Sequence, residues 1–153
     1  MKIAIIGAGK LGIRITEALL DGDYDITVVD NNEKKLDMLA QQFDVFTVLG
    51  DAKTIETLNK IDVKSFDFLI ATTTSDDTNI LTASFAKILG CKRVIARVRE
   101  PEHMNQLDFL REHYNIDMLI NPDLLITSEI YRYLVEKYTL SNGIFTSRSI
   151  ALI

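Results

Sequence analysis

Gly7-Ala8-Gly9-Lys10-Leu11-Gly12 stands between Ile3-Ala4-Ile5-Ile6, a run with no polar alternation, and an amphipathic stretch that opens at Leu11. A strand that is apolar on both faces must be covered by helices on both sides, which confines the chain to layered α/β architectures. The G-x-G-x-x-G spacing, directly after a strand and opening a helix, is the context in which such a turn holds phosphate. Gly7 permits the tight turn, Gly9 lets the main chain approach a diphosphate, and Gly12 lets helix and strand pack closely. The unpaired N–H groups of the helix start, with the positive end of the dipole behind them, then face the phosphate oxygens. Ala8 and Leu11 belong to the same turn, and the Lys10 ammonium is within reach of a terminal phosphate or of a neighbouring chain's ligand.

The alternation continues along the chain. Short β-rich runs at 2–6, 25–29, 45–49, 68–71, 93–98 and 118–120 predict six strands. Helices are expected at 11–20, 33–43, 54–61, 76–89, 103–113 and 122–139. In the first, Leu11, Ile15, Ala18 and Leu19 form the stripe expected to pack on the sheet. Ser75 is a candidate N-cap for the fourth, with Asp76 and Asp77 in its first turn, and Gly90 a candidate stop. Right-handed crossovers then give a doubly wound parallel sheet of order 3-2-1-4-5-6.

Ligands in such sheets sit beyond the carboxyl ends of the strands. Asp30, with Asn31 beside it, ends the second strand, at the separation expected of an acid that hydrogen-bonds ribose hydroxyls; its charge disfavours a 2′-phosphate, and hence NADP. Gly50-Asp51-Ala52 follows the third strand, beside an expected adenine position, and Thr72-Thr73-Thr74 follows the fourth, near the diphosphate. For Asp51 and the threonines, turn formation and helix capping weigh equally with ligand contact. Arg97 lies in an otherwise apolar run near the end of the fifth strand, and a phosphate or carboxylate is its expected partner.

Composition excludes several classes. A net charge of -5 argues against a nucleic-acid binder relying on a basic face. No apolar run reaches the roughly 18 residues that cross a bilayer, and no signal-peptide pattern follows Met1, so a soluble cytoplasmic protein without direct membrane insertion is expected. The single cysteine, Cys91, excludes an internal disulfide framework and reads as a small buried hydrophobe. His103 and His113 are too far apart for a helical metal pair. Tyr133 and Lys137 fit Y-x-x-x-K, but Ser128 lies much nearer than the catalytic serine of the enzymes that use that spacing, and no acid or base stands out for hydride transfer. An NAD-dependent oxidoreductase, or the cofactor domain of a larger dehydrogenase, is therefore the alternative reading.

Leu124, Leu125, Ile126, Ile130, Tyr131, Leu134, Val135 and Tyr138 cover more than one stripe of the last helix. A dimer contact and a buried closing helix are both consistent with that wheel. Leu140-Ser141-Asn142-Gly143 is expected to end this helix. The apolar run at 148–153 then reads as a strand without a partner, so the natural chain is expected to continue, with residues 1–139 as one domain and 140–153 as the start of a linker or second domain.

Together, the glycine turn, Asp30, Gly50-Asp51-Ala52, Ala71-Thr72, Ser75-Asp76-Asp77-Thr78-Asn79, Val94-Ile95-Ala96-Arg97-Val98-Arg99-Glu100-Pro101-Glu102-His103 and Ile120-Asn121-Pro122 resemble the nucleotide-binding RCK (KTN, TrkA-N) domain of Trk/Ktr potassium-transport regulators. The resemblance implies a Rossmann-like fold with a C-terminal crossover helix and a regulatory, non-catalytic role. It also implies a homodimer or larger ring docked on the cytoplasmic side of a membrane potassium channel or transporter. NAD(H) is the favoured ligand implied. A basic residue at Lys10 resembles the ATP/ADP-responsive members, which keeps ATP/ADP open.

Overall fold

The computed structural model describes residues 1–100 and 106–142. Six parallel strands, β1 (Lys2–Ile6), β2 (Asp25–Asp30), β3 (Phe46–Leu49), β4 (Phe68–Ala71), β5 (Arg93–Arg97) and β6 (Met118–Ile120), form one sheet in the order β3-β2-β1-β4-β5-β6. This is the doubly wound, Rossmann-like topology the alternation implied. The helices are α1 (Lys10–Leu19), α2 (Glu33–Gln42), α3 (Ile55–Lys60), α4 (Asp76–Ile88), α5 (Leu107–His113) and α6 (Pro122–Asn142). The sheet and α1–α5 lie in a compact unit spanning Met1–Ile120, and α6 lies in a second unit that begins at Asn121.

Strand β1 shows why both faces are covered. Ile3 and Ile5 enter one core with Ile26, Val28 and the α2 residues Leu36 and Leu39, while Ala4 and Ile6 enter the other with Leu58, Leu69, Ala83 and Val94. The period-2 alternation of side chains splits a uniformly apolar run between two helix layers. Each fully buried aliphatic side chain in these layers contributes about 1.5–3 kcal/mol.

In α1 the expected stripe is only partly met. Ile15 and Leu19 pack on the core and Ile13 and Leu20 join them, but Ala18 is exposed and the buried positions are Gly12 and Thr16. The close approach of Gly12 to the β1 turn rolls the 12/16/19 line of the helix inward. Thr16 is tolerated there because its hydroxyl donates to Gly12 O at 2.9 Å.

In α4, Ser75 is the N-cap, accepting from Thr78 N at 3.2 Å, and Gly90 (φ +106°) follows the last turn. Cys91 is buried as expected, and burial pushes its thiol pKa up. Helix α5 begins at Leu107, and the expected start at His103 lies outside the described residues. Helix α6 continues through Leu140, Ser141 and Asn142 instead of stopping at 139, and the strand expected at 148–153 also lies outside them.

Lys87 of α4 donates to both Asp117 oxygens, at 2.9 and 2.8 Å, and Val94 N donates to Asp117 Oδ2 at 2.7 Å. Desolvation works upward on this carboxyl, but the Lys87 ammonium and the Val94 amide outweigh it and hold Asp117 below its ordinary value. The stabilisation is therefore complete above the unfolded carboxyl pKa of about 4 and is lost as pH falls through the lower folded value. Thermal unfolding followed against pH is expected to show a shallower acid decline in Asp117→Asn than in the parent; identical acid limbs would remove this pair from the pH dependence.

Candidate functional site

The strand order reverses between β1 and β4, and the turns leaving these two strands meet. Gly7 has φ +102°, and a Cβ there would lie 3.1 Å from Thr73 N and 3.2 Å from Thr73 Cα. A Cβ at Gly12 would lie 1.9 Å from Gly7 O and 3.0 Å from Thr72 Oγ1. Both glycines are thus demanded by the chain's own packing. Gly9 is different, because a Cβ there would meet nothing within 4 Å. It is the N-cap of α1, no side chain caps that helix start, and its first turn carries no acidic residue. The result is a bare main chain at a positive helix end, in a turn with internal reasons for two of its three glycines and room over the third. That arrangement fits a diphosphate.

Asp30 is half-buried at the end of β2. Its Oδ2 accepts from Ala8 N at 2.7 Å and its Oδ1 from Asn32 N at 2.8 Å. The carboxylate therefore ties β2 to the glycine turn. An ionised carboxyl offers about four acceptor positions, so two remain for ribose hydroxyls. Asn31, next in the chain, and Lys10, at the start of α1, are exposed.

The remaining expected residues divide. Asp51 is exposed and forms the turn into α3: its Oδ1 accepts from Lys53 N at 3.1 Å and its carbonyl from Thr54 N at 3.0 Å. Ala52 is buried, and its carbonyl accepts from Thr82 of α4 at 3.2 Å. Thr72 is buried with its hydroxyl directed inward, donating to Ile6 O at 2.9 Å and Gly7 O at 3.3 Å; it braces the turn from below. Arg97 is buried as well, and its Nη1 donates to Thr73 O at 2.8 Å. Within the protein this guanidinium thus bonds a backbone carbonyl. Strand β5 ends beside the β4 loop, which puts that carbonyl within reach.

Sequence reasoning read Asp76 only as a first-turn acid and Asn79 only as part of the family segment, and gave neither a place in the site. Asn79 is fully buried and bonds Thr73 and Arg97 O. Asp76, 3% exposed, accepts from Arg99 N and Glu100 N, both at 2.7 Å. The available signal was positional: 76, 79, 80, 83 and 86 trace the buried line of α4, and two of its five members are polar. Tyr133 of the Y-x-x-x-K pair is an exposed residue of α6, in the second unit. Among the described residues no cluster of three or more His, Cys, Asp or Glu could hold a metal ion.

The parallel sheet, the glycine turn at its reversal point and the acid at the end of β2 together define a Rossmann-like domain of the nucleotide-binding class. The chain belongs to the TrkA-N domain family, which it matches over residues 3–122. It is 33% identical over its whole length to the Trk system potassium uptake protein TrkA of Haemophilus influenzae and 32% identical to that of Vibrio alginolyticus, covering 34% of each. The chain thus spans about a third of the length of these relatives. Among solved structures, the TrkA-N domain of the inner membrane protein ybaL from Escherichia coli superposes with a TM-score of 0.76 at 19% identity, covering 87% of this chain and 96% of that one. The GsuK RCK domain gives 0.69 at 25% identity, covering 93% and 30%. The GsuK channel bound to NAD gives 0.67 at 22% identity, covering 78% and 21%.

Proposed function

We propose that this chain is the nucleotide-sensing domain of a potassium-uptake regulator, binding NAD(H), or ADP and ATP, between the glycine turn and Asp30. The uncapped start of α1 beneath Gly9 carries the reading. The names of the full-length relatives support the potassium-uptake role, and the NAD-bound and ADP-bound GsuK structures support the ligand class. Gly7, Ala8, Gly9, Lys10, Leu11 and Gly12 form the phosphate cradle. Asp30 and Asn31 face the ribose, Asp51 and Ala52 border the base, and Thr72, Thr73 and Arg97 support the diphosphate side. NAD(H) is favoured, and Lys10 keeps ATP and ADP in contention. The nucleotide acts by binding one arrangement of paired domains more tightly than another, and that difference in affinity is what shifts the transporter. No bond is made or broken in this role.

Isothermal titration with NADH, ADP and ATP tests the binding, and a saturating titration without heat or displacement overturns it. Steady loss of nicotinamide absorbance in the presence of hydroxy acids would favour the oxidoreductase alternative instead.

The working unit is a homodimer or a ring of dimers, at the cytoplasmic face of the membrane and attached through its transporter partner. Among the described residues no helix is long and apolar enough to cross a membrane. Residues 1–139 form the sensing domain. The contact between copies is α6, where Leu124, Ile126, Ile130, Tyr131 and Leu134 are exposed. Ile130→Glu is expected to lower the mass measured by light scattering to that of a smaller assembly. An unchanged mass would assign the contact to another surface.

A further inference from the structure

We propose that Asn79 is the positioning residue of the nucleotide site, holding the β4 loop and the end of β5 in the one arrangement that shapes the diphosphate subsite. This inference rests on the binding function proposed above. Asn79 is 0% exposed, and its side chain fills all of its bonding capacity with the two loops. Oδ1 accepts from Thr73 N at 2.8 Å and from Thr73 Oγ1 at 2.7 Å, while Nδ2 donates to Thr73 O at 3.1 Å and to Arg97 O at 3.0 Å.

Two consequences follow from the residues it holds. The Thr73 peptide is the wall against which Gly7 packs, 3.1 Å from where a Cβ would stand, so its position limits where the glycine turn can sit. Thr73 O is also the acceptor for Arg97 Nη1 at 2.8 Å. One buried amide thus fixes the turn that cradles the phosphates and aims the cation at the end of β5. Asp76, one helical turn earlier, bonds the amides of Arg99 and Glu100, so α4 anchors the end of β5 and the segment following it at two successive levels. An apolar residue at 79 would pack equally well on the α4 stripe but would leave Thr73 and Arg97 O without these bonds.

A merely structural asparagine would weaken every ligand alike when removed, or none. A positioning asparagine weakens ligands in proportion to their dependence on the diphosphate. Titration of ADP and of adenosine into the parent, Asn79→Ala and Thr82→Val, at a temperature where circular dichroism shows all three folded, separates the two roles. Thr82 lends α4 a comparable buried bond, to Ala52 O, away from Thr73. Expected is a loss of about tenfold in ADP affinity for Asn79→Ala, the equivalent of one net hydrogen bond, with adenosine within about twofold of the parent. Thr82→Val should leave the ratio of the two affinities unchanged. Equal losses for ADP and adenosine, or no loss for either, would overturn the assignment. Where Asn79→Ala does not fold, Asn79→Ser is read by the same ratio and the same criteria. A parent that binds neither of these ligands nor NADH would overturn the binding function itself, an outcome distinct from any behaviour of the variants.

Discussion

Gly12→Ala lowers the melting temperature by roughly 6–12 °C, the size expected for about 3 kcal/mol of overpacking in a chain of this length. The added methyl would stand 1.9 Å from Gly7 O and 3.0 Å from Thr72 Oγ1, and the first of these is backbone that cannot rotate away. Helix α1 must lift from β1, exposing part of the core around Ile3, Ile5 and Val28. The same displacement pulls the start of α1 out of line with the turn, so nucleotide affinity falls by more than about tenfold. Gly9→Ala is the companion measurement. Its methyl enters open space, so stability changes by less than about 1 kcal/mol, while affinity still falls because the bare main chain is covered. Calorimetric melting and titration of both variants give the comparison; a Gly12→Ala melt within 2 °C or so of the parent would show that the close approach carries no energetic weight.

Asp30→Ala is expected to weaken NADH and ADP binding by roughly 10–150-fold, corresponding to about 1.5–3 kcal/mol for hydrogen bonds to a charged group. Two losses combine in it. The ribose hydroxyls lose their acceptor, and Ala8 N loses the 2.7 Å bond that holds the glycine turn against β2. Discrimination against NADPH isolates the charge. Two like charges about 4 Å apart at an effective dielectric near 20 repel by about 4 kcal/mol, so the parent should prefer NADH strongly and Asp30→Ala should lose most of that preference. An NADH/NADPH affinity ratio unaffected by the substitution would remove Asp30 from the ribose position, and an unchanged NADH affinity would remove it from the site altogether.

These two residues mark how far local reasoning reaches. Spacing alone singled out Gly7, Gly9, Gly12 and Asp30, because the G-x-G-x-x-G signature and the acid that follows it are written within a few residues and one βαβ unit. It could not tell that Asp30 also braces the turn, since that needs the register in which Ile6 of β1 lies opposite Val29 of β2. For Arg97, a lone cation in an apolar run signals a need for acceptors without naming which backbone group supplies one, here Thr73 O. For Thr72, turn formation and ligand contact weigh equally in the sequence, and the fold directs the hydroxyl inward to Ile6 O and Gly7 O.

The six strands, their parallel order and the two helix layers follow from hydrophobic periodicity, because burying a strand on both faces leaves few ways to wind the chain. Asn79, Asp76 and the roll of α1 belong to the assembled molecule. Their partners lie 6 to 24 residues away or across a helix–sheet contact. Whether a polar side chain is an asset or a liability there depends on which backbone groups the packed elements bring within 3 Å of it.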